Sequence, residues 1–233
     1  MAVVAVRGPR YIRGMKSLRP TLLSIPIIAA SALPMASHPH VFIDAGANLI
    51  FDDAGQLAAV RVFWAYDEFY SLLLVEDNGL DADGDGIPEQ AALDAYAGQD
   101  VDWAAGFPGD LYLQNQGADV ALARPVEHGM RYEDGRVVSW HIRPLETRVT
   151  VGAEPLLAQI YDPTFFVAYD VRLPVTVEGR DSCAVEQMPA DLNAAYDKVE
   201  SLLYGPDSVE YSEDSYPEVG DLFADQLLLT CSE

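Results

Sequence analysis

Between residues 110 and 178 the sequence breaks into eight short strand-like segments, at 110–114, 119–125, 130–132, 137–143, 147–151, 156–161, 165–173 and 175–178. Gly and Pro separate them at short intervals, the rhythm of an antiparallel sheet or sandwich. Two further strand-like runs, 40–51 and 57–66, flank Asp52-Asp53-Ala54-Gly55 and read as a β-hairpin. Asp67 then caps a short amphipathic helix whose apolar face is expected from Phe69, Leu72, Leu73 and Val75. A loop dense in Asp and Gly at 78–88 leads to a second helix at about 89–96. Near the C-terminus, 189–204 patterns as a helix with Leu192, Tyr196, Val199 and Leu203 on one face. An acidic loop at 208–218, a short helix around 219–224 and a strand ending at Cys231 complete the chain. The expected class is α+β: mainly antiparallel β-sheet or sandwich, with a few helices and an inserted helix–Asp-rich loop–helix at about residues 67–97.

The N-terminal segment has a different character. Arg13 to Arg19 is basic, residues 21–33 are apolar, and Ala36 and Ser37 are small. That is the layout of a secretory signal peptide, so residues 1–37 are expected to be removed and 38–233 to form the exported domain. An uncleaved anchor is the alternative, but the run is short for a membrane span and holds Pro26 and Pro34. No later apolar run is long enough to span, so stable membrane insertion after cleavage is not expected. The charge follows from this division. The full chain carries 37 acidic and 14 basic residues, a net −23; without the five basic residues before Ser37 the balance is −28. Such an excess excludes a nucleic-acid partner, which requires clustered Lys and Arg. Cys183 and Cys231, the two cysteines, suit one disulfide in an oxidising compartment.

Four histidines remain after cleavage: His38, His40, His128 and His141. On an extended chain His38 and His40 point to the same side, where both imidazoles can meet one ion, and Asp44 shares that parity. A free amine on His38 would add a nitrogen, a donor set that suits copper, nickel or zinc. His141, on the segment 137–143, is a candidate further ligand or a buried histidine; His128 is a ligand candidate or a turn residue. A second constellation is Asp81-Ala82-Asp83-Gly84-Asp85-Gly86, which begins as an EF-hand begins, with oxygens at positions 1, 3 and 5 and Gly at 6. Its end departs from the pattern, since position 12 is Ala92. Glu89, at position 9, and Asp94 are the candidate substitutes, and calcium is assigned to Asp81, Asp83, Asp85 and Glu89.

Several blocks together resemble the domain-of-unknown-function family 1007. They are His38-Pro39-His40-Val41-Phe42-Ile43-Asp44, Trp64…Asp67-Glu68-Phe69, the DxDxDG loop, Tyr161-Asp162-Pro163-Thr164-Phe165, and Phe223-Ala224-Asp225…Cys231. The resemblance implies an exported, periplasmic component associated with membrane divalent-metal transporters. It also brings Asp162 forward as a ligand beside His38, His40 and His141, the alternative for Asp162 being to cap its own turn. The expected function is a periplasmic accessory protein that binds a divalent transition metal (Zn, Ni, Co or Cu) and passes it to a transporter. Two other classes stand beside it: a calcium-stapled interaction module, and a copper redox protein with a histidine brace. The chain has no GxSxG, no HExxH and no cysteine beside a histidine, so hydrolysis has no support and no enzyme is expected.

Overall fold

The structure, a computed structural model, describes residues 39–206 and 217–232. The expected signal segment 1–37, His38 and most of the acidic loop at 208–218 lie outside the described residues.

The chain forms two five-stranded sheets that share one core. The elements in order are β1 (Val41–Phe51), β2 (Leu57–Tyr66), α1 (Glu68–Asp77), α2 (Gln90–Tyr96), β3 (Leu111–Asn115), β4 (Ala118–Asp119), β5 (Glu127–Glu133), β6 (Arg136–Val149), β7 (Leu156–Ile160), β8 (Val167–Glu178), β9 (Cys183–Met188), α3 (Leu192–Tyr204) and β10 (Gln226–Cys231). The first sheet has the order β5-β6-β2-β1-β8 and the second β4-β3-β7-β10-β9. All pairings are antiparallel except β1 with β8, which is parallel. Alternation supplies the core. Ala45, Ala47 and Leu49 on β1 and Val60, Val62 and Trp64 on β2 meet Leu111, Leu113, Leu156, Ala158, Leu227 and Leu229 from the other sheet, all buried. The α+β class with its helix–acidic loop–helix insertion is therefore the observed one.

Several expected boundaries move. The segments 137–143 and 147–151 are one strand, β6, which runs through Pro144; the proline sits where pairing with β2 shifts register. Likewise 165–173 and 175–178 join in β8 through Pro174. Here β8 is the outermost strand, and its pairing with β1 slips between Ala45 and Ala47, so the missing N–H breaks no regular ladder. Gly46 makes that slip possible, because a Cβ there would fall 2.6 Å from the Leu173 Cβ. The segment 119–125 is not a strand beyond Asp119, apart from an isolated bridge at Leu122. In turn β9, which no pattern announced, closes the second sheet beside β10.

Two helices expose what the sequence pattern placed inside. On α1 the buried residues are Ser71, Leu74 and Val75, while Phe69 is 69% and Leu72 56% exposed. Ser71 is inside because its hydroxyl donates to the Tyr66 carbonyl and accepts the Val137 N–H, tying the helix to β2 and β6. On α3 the inward face is Ala195 with Val199 and Leu202, packed on Phe223 and Phe165 in a small satellite cluster; Leu192 and Tyr196 are exposed. The disulfide Cys183–Cys231 joins directly paired residues of β9 and β10, 48 residues apart in sequence.

Candidate metal centre

The loop between α1 and α2 is built by its own carboxylates. Asp67 starts the first helix: one side-chain oxygen accepts the Tyr70 N–H at 2.8 Å and the other the Phe42 N–H, fixing α1 to the start of β1. After α1 the chain turns, with the Leu80 N–H donating to the Val75 carbonyl and the Glu89 N–H to the Leu80 carbonyl. Between them Asp81 accepts from the Gly84 and Gly86 N–H groups at 2.9 and 2.8 Å. Asp83 accepts from Asp85, Asp85 from Ile87, and Glu89 reaches back to the Ala82 N–H at 3.0 Å. Leu80 and Pro88 are buried and anchor the loop, whereas Ile87 stands in solvent.

This winding brings three carboxylates together. Ligand oxygens of Asp81, Asp83 and Glu89 lie within 4.8 Å of one another, among the described residues the one group of three or more His, Cys, Asp or Glu so placed. Oxygen ligands around a shared point are the donor set of a hard divalent cation such as calcium. Asp85 stands outside this group. The convergence of Glu89 on Asp81 supplies from position 9 an oxygen that Ala92 cannot offer from position 12.

The histidines are distributed differently. His40 precedes β1, its N–H donating to the Phe166 carbonyl and its ring lying 4.7 Å from the Phe166 ring. Asp162 is close by in sequence to Phe166, but both its oxygens are taken. They accept from the N–H and hydroxyl of Thr164 and from the N–H groups of Phe166 and Val167, which is the turn-capping role. Asp44 is engaged with Arg136, and Arg172 stands 3.8 Å away. His141 is not brought to His40. It pairs with Val62, which pairs with Ala47, seven residues along β1 from His40, a rise of roughly 23 Å. His128 is not in a turn but within β5, directly opposite His141 on β6.

His141 is 3% exposed and lies among Trp64 and Trp103, whose ring centroids are 4.6 and 4.9 Å from its own. Burial pushes its pKa down to about 3, with Arg143 and His128 adding like charge, so the imidazole is neutral at any ordinary pH. Arg143, two residues on, donates to the Ala123 and Pro108 carbonyls and stacks near Trp103. Asp110 is also buried and accepts the Tyr169 hydroxyl at 2.8 Å. Desolvation raises the Asp110 carboxyl to about 7 despite that bond, and Asp162 adds to the rise.

These features sit in a chain with a family of its own. The family model described as a protein of unknown function (DUF1007) matches residues 23–231. The chain belongs to the DUF1007 family. No curated protein matches it. What the structure adds to membership in DUF1007 is a disulfide-bonded module with an acidic triad, Asp81, Asp83 and Glu89, whose oxygens can coordinate a divalent ion. Among the described residues no helix is long and apolar enough to cross a membrane.

Proposed function

We propose that this DUF1007 protein is an exported, periplasmic metal-handling accessory of a membrane divalent-metal transporter, with calcium stapling the loop between α1 and α2. The convergence of Asp81, Asp83 and Glu89 carries the metal-binding part of this reading. Their hard oxygen donors favour calcium over zinc, nickel, cobalt or copper, which prefer nitrogen and sulfur. The export part is supported by the basic, apolar and small-residue order of residues 13–37, and the transporter part by the family resemblance of the blocks around His38, Asp81 and Asp162. In this reading His38 and His40 offer the exchangeable transition-metal ligands at the surface, and the calcium site is a fixture.

Calorimetric titration with calcium tests the staple. An extracellular-type affinity, with Kd on the order of 10⁻⁴–10⁻³ M, is expected. At tenfold excess over Kd the ion stabilises by about 1.4 kcal/mol, and Asp81→Asn removes the heat of binding. No binding at 10 mM calcium, or unchanged binding in Asp81→Asn, rejects the site. A second reading, a calcium-stapled interaction module without transport, is favoured by one observation: α1 turns Phe69 and Leu72 outward on the helix that leads into the loop.

A further inference from the structure

A cavity of about 570 Å³ opens beside β3 and β7 and shares no residue with the acidic loop or the histidine pair. Its floor follows from alternation. Leu111, Leu113, Leu156, Ala158 and Ile160 are buried in the core, so Tyr112 and Gln114 on β3 and Leu157 and Gln159 on β7 turn to the other face. There Tyr112 stands opposite Gln159, and Gln114 opposite Leu157. Tyr161, next after β7, stacks on Tyr112 with ring centroids 4.2 Å apart. Val120 and Leu122, in the segment after β4, form a wall. That segment spans the two sheets, since the Val120 N–H donates to the Leu113 carbonyl of β3 and the Ala123 N–H to the Pro144 carbonyl of β6.

Arg143, from β6, lines the same cavity. It is 6% exposed, yet among the described residues no carboxylate pairs with it. Two of its five N–H donors go to carbonyls, Nε to Ala123 at 2.7 Å and Nη1 to Pro108 at 2.6 Å. These bonds pin the guanidinium between the segments on either side of β3, with Trp103 at 5.6 Å. Gly109 makes room for it: at φ +85°, a Cβ there would collide with Nη1. The donors on Nη2 have no hydrogen-bond partner among the described residues. A charge taken out of water is stable only when an opposite charge and hydrogen bonds replace the water. The carbonyls supply part of this, and the counter-charge is missing. The Gln159 amide, half-buried on the same cavity, is likewise unpaired among the described residues.

We propose that this cavity binds a small organic monocarboxylate, with the carboxylate on Arg143 and an apolar body against the tyrosines and the aliphatic wall. The donors left on Nη1 and Nη2 match the two oxygens of a planar carboxylate. The surroundings limit the ligand to one negative charge. Asp119 lines the cavity, and Asp221 and Glu218 also bring negative charge to Tyr161. A dianion such as phosphate would meet one cation and several carboxylates. The volume suits a body the size of an aromatic ring, and Leu122, Leu157 and the stacked Tyr112 and Tyr161 offer the apolar contact for it. The same acidic groups favour a ligand that also carries an ammonium, so simple acids and amino acids share the required chemistry. This goes beyond the metal-handling reading and needs neither the calcium loop nor His40.

The test is a calorimetric titration of the purified protein with hydrocinnamate, phenylalanine and phenethylamine, followed also by tryptophan fluorescence. The three share a ring and differ in carrying a carboxylate, both groups or an ammonium alone. Hydrocinnamate and phenylalanine should each bind once per chain below about 10 mM and change the emission of Trp103, which lies against the guanidinium. Phenethylamine should not. The tighter of the two carboxylates tells whether the ligand is a simple acid or an amino acid. Arg143→Lys keeps the charge but loses the planar fork and should weaken binding by about 10-fold. Gln159→Leu, at an outward position where the fold should persist, should weaken it by about threefold. Absence of heat and of emission change with both carboxylates overturns the proposal. So does binding within twofold of the parent in a folded Arg143→Lys or in Gln159→Leu, or phosphate that competes as well as hydrocinnamate. Calcium titration of the same samples separates the two claims: loss of calcium binding with carboxylate binding retained would reject only the staple.

Discussion

The calcium loop and the histidine pocket are built on opposite plans. In the loop, every group that matters lies between Asp81 and Glu89, and each carboxylate is positioned by N–H groups two to seven residues away. The pocket instead gathers Trp64 from β2, Trp103 from the segment before β3, His128 from β5 and His141 from β6. The loop is exposed, acidic and satisfied within itself. The pocket is buried, basic and keeps unpaired polar atoms. A local site needs only its own turn to form, whereas a distributed one exists only when β2, β5 and β6 have paired and the segment before β3 has folded over them.

That contrast can be broken or sharpened by experiment. The largest effect is expected from the disulfide. Replacing Cys183 and Cys231 by Ala opens a loop of 48 residues and should cost about 4 kcal/mol, read as a melting point lower by roughly 12 °C. Calcium affinity measured below the melting transition should stay within twofold of the parent; a larger fall would show that the loop is not locally built.

A smaller effect should come from Asp110, which belongs to the distributed region through Tyr169 and, beyond it, Trp64. Its carboxyl is raised from an ordinary 3.8 to about 7 by burial. Between these values the folded protein holds a proton that the unfolded chain has released, so stability falls as pH rises through this window and the cost is complete above it. Asp110→Asn keeps an acceptor for Tyr169 and suits the positive φ of 48° at this position. It should stabilise the protein by on the order of 2 kcal/mol at pH 8 and by little at pH 4. Parallel denaturation curves at the two pH values check this; an equal effect at both would show that ionisation is not the cause.

The smallest effect is expected on α1. Phe69→Ser should change stability by less than about 0.5 kcal/mol, because the ring is 69% exposed and leaves no cavity. A loss of several kcal/mol in urea unfolding would place Phe69 in the core, as the sequence pattern alone suggested.

Helix α1 shows why some of the fold was legible and some was not. Asp67 as N-cap, the hairpin of β1 and β2, and the acidic loop follow from neighbours in sequence, and each stands where its pattern placed it. Which side of α1 faces inward depends on the Ser71 hydroxyl, which donates to Tyr66 and accepts from Val137, and the unbroken apolar run 72–75 does not announce it. Pro144 and Pro174 looked like strand breaks because nothing local shows a register shift that removes the need for their N–H groups. His128 beside Gly129 looked like a turn for the same reason. A period-two run with His128 and Met130 on one face was the available signal, and it gains meaning only with His141 opposite.

The sequence by itself determined the class, the carboxylates of the loop and the two cysteines, since these depend on alternation, turn chemistry and residue type over short distances. Glu89 beside Asp81 and Asp83, and Asp162 capping its own turn, were among the alternatives the sequence offered, and local turn geometry chose them; tertiary structure alone decided that His141 stands opposite His128 and not beside His40. The reason is physical. Sheet register brings together residues far apart in the chain, and only closure of the core chooses among the registers that local preferences allow.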